Sequence, residues 1–254
     1  ITPDALMKVW KIDRDAAERT LNCTTQLKKQ DTATGISRRF STNDRMLRYR
    51  CIKQHFFTDT FFAKDEYVSA RGYKCCQLFV SDKGFIFIVL MQKKAEFHQA
   101  LQLFAKEIGV PISLICDPSG EQASNEVKKL ASSAGASLKI LEEGTQHASL
   151  AELYVGIMKN AISRGLRETG CPLAFWCYAA EWRMRARNAT ASKLAQCQQS
   201  NPSTAATGEA KGISDISKLG FFQWAMYFSK STPSPKERWQ LGRSLGPAKT
   251  AGNA

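Results

Sequence analysis

Hydrophobic positions in the middle of the chain switch between the spacing of strands and that of a helix. An aromatic run at residues 56–62 and apolar runs at 75–80 and 85–91 predict three strands, the last two joined by a turn at 81–84. The third run is apolar almost throughout, which indicates burial on both faces of a sheet. Apolar residues then recur with helical spacing from Phe97 to Ile108. They predict an amphipathic helix.

The next stretch alternates strands and helices. Residues 113–116 form a short apolar run, 121–133 a helical pattern, 137–141 a further strand, and a long helical pattern runs from about 149 to about 167. Three strands in succession followed by alternating helix and strand are typical of an α/β fold. We therefore expect a five-stranded mixed sheet with helices on both faces.

The segments on either side of this core show less regular hydrophobic patterns. Residues 4–22 predict two short helices with a break near Asp13, either a packing pair or a helix-turn-helix, and 24–50 are polar and basic. Pro172 starts a further helix, and 196–212 have the composition of a linker. Aromatic residues at 221–228 and near Trp239 predict short strands. We expect a helical and basic connector at 1–50, a core at 51–195, and a linker with a partial β-rich appendage at 196–254.

Composition narrows the classes of partner and site. The 254-residue chain carries 36 Lys and Arg against 23 Asp and Glu, a net charge of +13. That excess favours a polyanionic partner, with a negatively charged membrane surface as the alternative. Eight cysteines without a Cys-x-x-Cys pair, and only three histidines, exclude a zinc site of the paired Cys/His type. We interpret the cysteines as buried thiols of a reducing compartment.

Targeting signals are not evident in the sequence. We find neither an apolar run long enough to cross a membrane nor a signal-peptide pattern. The chain begins with Ile1 rather than Met, so we expect a fragment of a longer polyprotein. An intracellular location, in the nucleus or cytoplasm, agrees with these features.

Three carboxylates occupy positions suited to metal chemistry. Asp59 lies inside the aromatic strand, Asp117 ends a short buried strand, and Glu152 begins the long helix. Aspartate is depleted in strands, so the presence of Asp59 within this strand pattern needs an explanation. Converging carboxylates hold the paired Mg²⁺ or Mn²⁺ ions that promote phosphodiester cleavage and transfer. The alternatives are a solvent-facing Asp59, an ordinary turn at Asp117, and a Glu152 that only complements the helix dipole.

Basic residues near these acids are candidates for contact with nucleic acid. On the long helix Glu152 and Lys159 share a face, and Leu153, Ile157 and Ile162 are predicted to pack. Lys159, Arg164 and Arg167 would follow a DNA strand away from the metal site. In the connector, Arg38, Arg39 and Arg48 suit contact with the phosphate backbone.

The motifs together resemble a known family. They are Phe57-Thr-Asp59-Thr, Ile115-Cys-Asp117-Pro-Ser-Gly-Glu121-Gln122 and Ala151-Glu152-Leu, with 35 positions (152 minus 117) between the second and third acids. The chain resembles the integrase part of a copia-type retrotransposon polyprotein, a retroviral-type integrase core with an RNase H-like fold. It departs from the family in lacking the preceding zinc-binding domain, and in having Ser149 where an asparagine is common.

The resemblance implies a function and a set of residues. Asp59, Asp117 and Glu152 would be the DDE-type catalytic residues and the ligands of two Mg²⁺ or Mn²⁺ ions. The activity would be DNA integration, by 3′-end processing and strand transfer between element ends and target DNA, with endonuclease activity and a homo-oligomeric enzyme. The alternatives are a catalytically inactive nucleic-acid-binding remnant and a ribonuclease on the same fold, because fold does not fix function.

Overall fold

The computed structural model describes most of the chain. The described residues are 1–26, 51–63, 67–118, 120–122, 124–141, 150–193, 200–208, 212–229 and 237–247. The α-helices are α1 (Pro3–Trp10), α2 (Arg14–Cys23), α3 (Phe97–Glu107), α4 (Asn125–Ala134), α5 (Leu150–Thr169), α6 (Trp176–Ala189), α7 (Pro202–Thr207) and α8 (Ser214–Ser217). The strands are β1 (Cys51–Phe62), β2 (Cys75–Ser81), β3 (Ile86–Met91), β4 (Val110–Cys116), β5 (Ser137–Ile140), β6 (Trp224–Phe228) and β7 (Trp239–Arg243). Short 3₁₀ turns at Lys94–Glu96 and Leu173–Phe175 precede α3 and α6.

The first five strands form one mixed sheet in the order β3-β2-β1-β4-β5. Strands β1, β2 and β3 pair antiparallel, whereas β4 pairs parallel with both β1 and β5. Helices cover both faces, since α3 and α4 pack on one and α5 and α6 on the other. The predicted five-stranded mixed sheet is confirmed, and β1 is the strand where antiparallel pairing gives way to parallel pairing.

An aromatic cluster fills the space between the sheet and α3. Phe104 lies with its ring centroid 5.0 Å from that of Phe56, 4.6 Å from Phe79 and 5.8 Å from Phe87. These rings come from three neighbouring strands, and Phe56, Phe79 and Phe104 are fully buried. Such burial supplies the main favourable free energy of folding for this layer. Alternation along β1 then directs Asp59 to the opposite face, towards α5.

Helix α5 packs on the sheet through a stripe that includes Ile162 of the predicted set but not Leu153. Its buried residues include Ala151, Tyr154, Val155, Met158 and Ile162. Leu153, which was predicted to pack, is 59% exposed, so that prediction is wrong. The reason is that Tyr154 and Val155 follow Ala151 at helical spacing of three and four, and together they take the contact with the sheet.

The two N-terminal helices form a pair that packs on the core. Lys11 ends α1 with a positive φ of 57°, and the Asp13 side chain caps α2 by accepting a hydrogen bond from the Ala16 amide at 2.7 Å. The indole of Trp10 donates to the Ile216 carbonyl at 3.0 Å, and the Ala191 amide donates to the Thr20 hydroxyl at 2.9 Å. These buried contacts agree with the packing-pair alternative.

The stretch expected to be a linker contains a short helix. Asn201 caps α7 by accepting from the Thr204 amide at 2.8 Å, and Gly208 ends it with a φ of 76°. The Gln54 side chain of β1 donates to the Ala205 carbonyl at 2.8 Å. Residues 201–208 therefore contact the central strand β1 and do not form a free linker.

The predicted β-rich appendage is a hairpin of β6 and β7. Its two strands pair antiparallel, with Met226 opposite Leu241 and Phe228 opposite Trp239. All four of these side chains are about half exposed. Among the described helices none is both long enough and apolar enough to cross a membrane.

Candidate active site

The register between β1 and β4 brings two of the candidate acids side by side. Thr58 pairs with Cys116 in this parallel ladder, so continuing by one residue sets Asp117 beside Asp59. Paired residues of neighbouring strands project to the same face of a sheet. Both carboxylates are therefore directed to the face that α5 covers.

Asp59 is a half-buried carboxylate within a strand. One of its oxygens accepts a hydrogen bond from the Thr60 amide at 2.6 Å. Burial raises the pKa of Asp59, and the negative charges of Asp117 and Glu152 raise it further, against the hydrogen bond from Thr60 and the positive charge of Lys94. The carboxylate is thus held in a field of like charges, which a cation would relieve.

Asp117 is fixed through its backbone by a buried glutamine. The Asp117 amide donates to the Gln122 side-chain carbonyl at 3.1 Å, and Gln122 is 1% exposed. Burial and the charge of Glu152 raise the pKa of Asp117, while Lys94 lowers it. Gln122 therefore positions the acid. Gln122 lies in the Asp117 motif of the sequence, but the motif alone did not indicate this role.

Glu152 lies in the first turn of α5 and is exposed. Its charge raises the pKa of both aspartates, so the three predicted acids share one electrostatic environment. The helix reaches the sheet through contacts with β1 and β2, which is how Glu152 approaches the two strand-borne acids.

The donor chemistry of this cluster fits a hard divalent cation. Carboxylate oxygens are the ligands that Mg²⁺ and Mn²⁺ take, usually with several retained waters. In the part of the chain that the structure describes, no group of three His, Cys, Asp or Glu side chains has the spacing of an assembled metal site. The three acids thus influence one another electrostatically, but they are not arranged as a complete set of metal ligands.

A buried polar network supports β1 behind Asp59. The Gln77 amide donates to the Thr58 hydroxyl at 2.6 Å, and the Thr60 hydroxyl donates to the Gln77 carbonyl at 2.5 Å. Thr58 in turn donates to the Leu78 carbonyl at 2.8 Å. Gln77 is fully buried, and it links the residues on either side of Asp59 to β2. The signal for this role of Gln77 in the sequence was a polar residue within an apolar strand pattern.

Lys94 is a basic residue at the rim of the cluster that sequence reasoning missed. It lies in the 3₁₀ turn after β3, and its ammonium is 3.6 Å from a carboxylate oxygen of Glu121. Its charge lowers the pKa of both Asp59 and Asp117. The signal in the sequence was a lysine pair at a strand end, which does not by itself indicate this neighbourhood.

The predicted DNA-binding residues fall into three groups. Lys159 lies on α5, with its ammonium 6.0 Å from the ring centroid of Phe61, at an open groove of about 490 Å³ that Phe62 and Trp176 also line. Arg164 and Arg167 are exposed on α5. Arg164 lies about 140° around the helix from Lys159, and so does not share its face. The other three, Arg38, Arg39 and Arg48, lie outside the described residues.

Solved structures share this architecture. One match is a chain of the simian T-cell lymphotropic virus intasome in complex with the PP2A regulatory subunit B56 gamma. The TM-score is 0.52 at 14% identity, over 98% of this chain and 90% of that chain. The described five-stranded mixed sheet is an RNase H-like fold.

Two further matches are structures of the HTLV-2 integrase catalytic core domain in complex with magnesium. The dimeric form has a TM-score of 0.47 at 16% identity, over 64% of this chain and 100% of that chain. The trimeric form has a TM-score of 0.46 at 17% identity, over 63% and 99%. No protein-family model matches the sequence, and no curated protein matches it either.

Proposed function

We propose that this chain is the catalytic part of a copia-type integrase that joins retroelement DNA to target DNA. Asp59, Asp117 and Glu152 act as its DDE-type acids and bind Mg²⁺ or Mn²⁺. The partners are element ends and target DNA, and the working form is a homo-oligomer. The observation that carries the proposal is the shared field of the three acids at the β1–β4 junction of an integrase-type fold.

Different residues of the chain have different roles in the proposed reaction. The acids supply oxygen ligands for two ions, and bound ions of this kind stabilise the attacking and leaving oxygens of a phosphodiester during transfer. Gln122 holds the backbone of Asp117, and Gln77 holds the strand that carries Asp59. The phosphate backbone would be contacted by Lys159, Arg164, Arg167, Arg38, Arg39 and Arg48, and these contacts would make the affinity for DNA depend on salt.

The test is DNA nicking and joining by the purified chain. Supercoiled plasmid and a labelled duplex with free 3′-hydroxyl ends are incubated with Mg²⁺ or Mn²⁺. We expect metal-dependent nicking and joining that Asp117→Asn abolishes, because the substitution removes an anionic ligand but keeps the size and an acceptor oxygen of the side chain. Asp215→Asn is the matched control, since Asp215 is an exposed aspartate on α8.

The outcomes separate the proposal from its competitors. Retained activity in Asp117→Asn would refute the assignment of the acids. Cleavage restricted to the RNA strand of an RNA–DNA hybrid would indicate a ribonuclease on the same fold.

A catalytically inactive nucleic-acid-binding remnant is the second candidate. It is favoured by the net charge of +13, because basic residues bind nucleic acid whether or not the acids hold metal. This candidate predicts DNA binding that weakens with salt and is the same in the wild type and in Asp117→Asn, with no nicking by either. The integrase proposal predicts that added Mn²⁺ stabilises the wild type more than Asp117→Asn against thermal unfolding.

A further inference from the structure

Lys94 is held in a defined place beside the loop that positions Asp117. The 3₁₀ turn that carries it is fixed by the Glu96 carboxylate, which accepts from the Gln92 amide at 3.0 Å. The Lys94 side chain is 31% exposed and pairs with Glu121. Glu121 is followed directly by Gln122, the residue that binds the Asp117 amide. The lysine therefore borders the same loop that positions Asp117.

The Lys94–Glu121 pair is suited to exchange of partners. The Lys94 ammonium and the Glu121 carboxylate are 3.6 Å apart, and the Glu121 side chain is 41% exposed. Partly exposed ion pairs of this kind contribute little to stability, so opening the pair costs little. A lysine is a compact charge on a flexible stem, which suits binding of a phosphate.

We propose that Lys94 binds a phosphate group of the nucleic-acid strand at the acid cluster, and that Glu121 holds its ammonium until the strand arrives. This inference rests on the proposed function, and it adds a substrate contact that the sequence analysis did not contain. With divalent ions held at the acids, the carboxylates would no longer attract the Lys94 ammonium, and a strand phosphate would be the anion available to it.

The proposal predicts effects of opposite sign for one substitution. Lys94→Gln removes a positive charge near Asp59 and Asp117, so Mn²⁺ binding in the absence of DNA should tighten by about twofold to tenfold. The same variant should bind DNA about threefold to tenfold more weakly, and the slope of log affinity against log salt should fall by about one. A purely structural lysine would lower the unfolding temperature without this pair of effects.

Neighbouring residues provide matched variants. Lys93→Gln removes the same charge from an adjacent exposed residue, and should leave Mn²⁺ binding unchanged. Lys94→Arg keeps the charge and should restore DNA affinity. Glu121→Gln frees the ammonium, and should leave DNA affinity unchanged or raise it.

The experiment combines two titrations of the full chain. Mn²⁺ binding is measured by calorimetry without DNA, and DNA binding by fluorescence anisotropy of a labelled 30-base-pair duplex in Ca²⁺ across a salt series. The inference is overturned if Lys94→Gln binds DNA as Lys93→Gln does, or if it binds Mn²⁺ less tightly than the wild type. If the wild type itself binds no duplex at low salt, the proposed function is refuted. That outcome is distinct from failure of the Lys94 inference, which is judged by comparing the variants.

Discussion

Replacing Gln122 by methionine removes one hydrogen bond from the acid cluster and leaves the packing nearly unchanged. Methionine is unbranched, adaptable and of similar length, so it fills the space of the buried glutamine. The loss is the acceptor for the Asp117 amide, now bound at 3.1 Å. Asp117 is only half-buried, so water partly replaces the lost partner. We expect a cost of about 1–2 kcal/mol in the free energy of unfolding.

This cost corresponds to a measurable change in unfolding temperature. For a chain of this size each kcal/mol lowers Tm by about 2–4 °C, so Gln122→Met should unfold about 2–8 °C below the wild type. A second effect follows from the position of Asp117. The rise in Tm on adding Mn²⁺ should be smaller in the variant, because a less ordered ligand weakens metal binding, and binding to the folded state is what raises stability.

The assay is thermal unfolding followed by circular dichroism, with and without Mn²⁺. Gln92→Met is the control, because it makes the same chemical change at an exposed glutamine. The reasoning is refuted if Gln122→Met unfolds at the wild-type temperature and shows the wild-type rise with Mn²⁺. A lower Tm with an undiminished Mn²⁺ effect would separate a structural role for Gln122 from a role in positioning Asp117.

Two further substitutions test the surroundings of Asp59. Asp59→Asn should raise the Tm of the metal-free protein at neutral pH, because the folded-state pKa of Asp59 is raised by burial and by Asp117 and Glu152. The difference in unfolding free energy between Asp59→Asn and the wild type should widen as pH rises from the ordinary aspartate pKa of 3.8 through the raised folded-state pKa, and then stay constant. Saturating Mn²⁺ should reverse the sign of this difference. Unfolding curves from pH 4 to 8 are the measurement, and a lower metal-free Tm for the variant would contradict the idea. Gln77→Leu should cost about 1–3 kcal/mol in chemical denaturation, because the partly buried Thr60 hydroxyl loses its acceptor and the buried Thr58 hydroxyl loses the amide that donates to it. An unchanged denaturation midpoint would contradict this.

Local patterns predicted the elements well where one pattern dominates. The helical repeat from Phe97 and the apolar run of β3 gave elements of the right type within a few residues of their observed ends. Helix α7 could have been found too, because Asn201-Pro202 and Gly208 are start and stop signals for a helix. The polar composition of the stretch concealed them.

The details of the site depend on contacts between distant segments, which the sequence does not state. The pairing of Thr58 with Cys116 comes from a parallel ladder between strands about 58 positions apart, and neither strand specifies that register alone. The error at Leu153 has a similar origin. More than one apolar stripe fits α5, and only the sheet beneath it selects between them.

The three acids are brought together by separate parts of the fold, and this has a consequence for how the site forms. Asp59 and Asp117 meet only when β4 pairs with β1, and Glu152 joins them only when α5 packs on β1 and β2. Burial and the mutual repulsion of the acids raise the pKa of both aspartates, and both effects oppose the compact state when the acids are ionised. The aromatic cluster around Phe104 and the Gln77 network lie on the other face, where no acid disturbs them. One face of the sheet thus supplies the stability that allows three like charges to be held on the other.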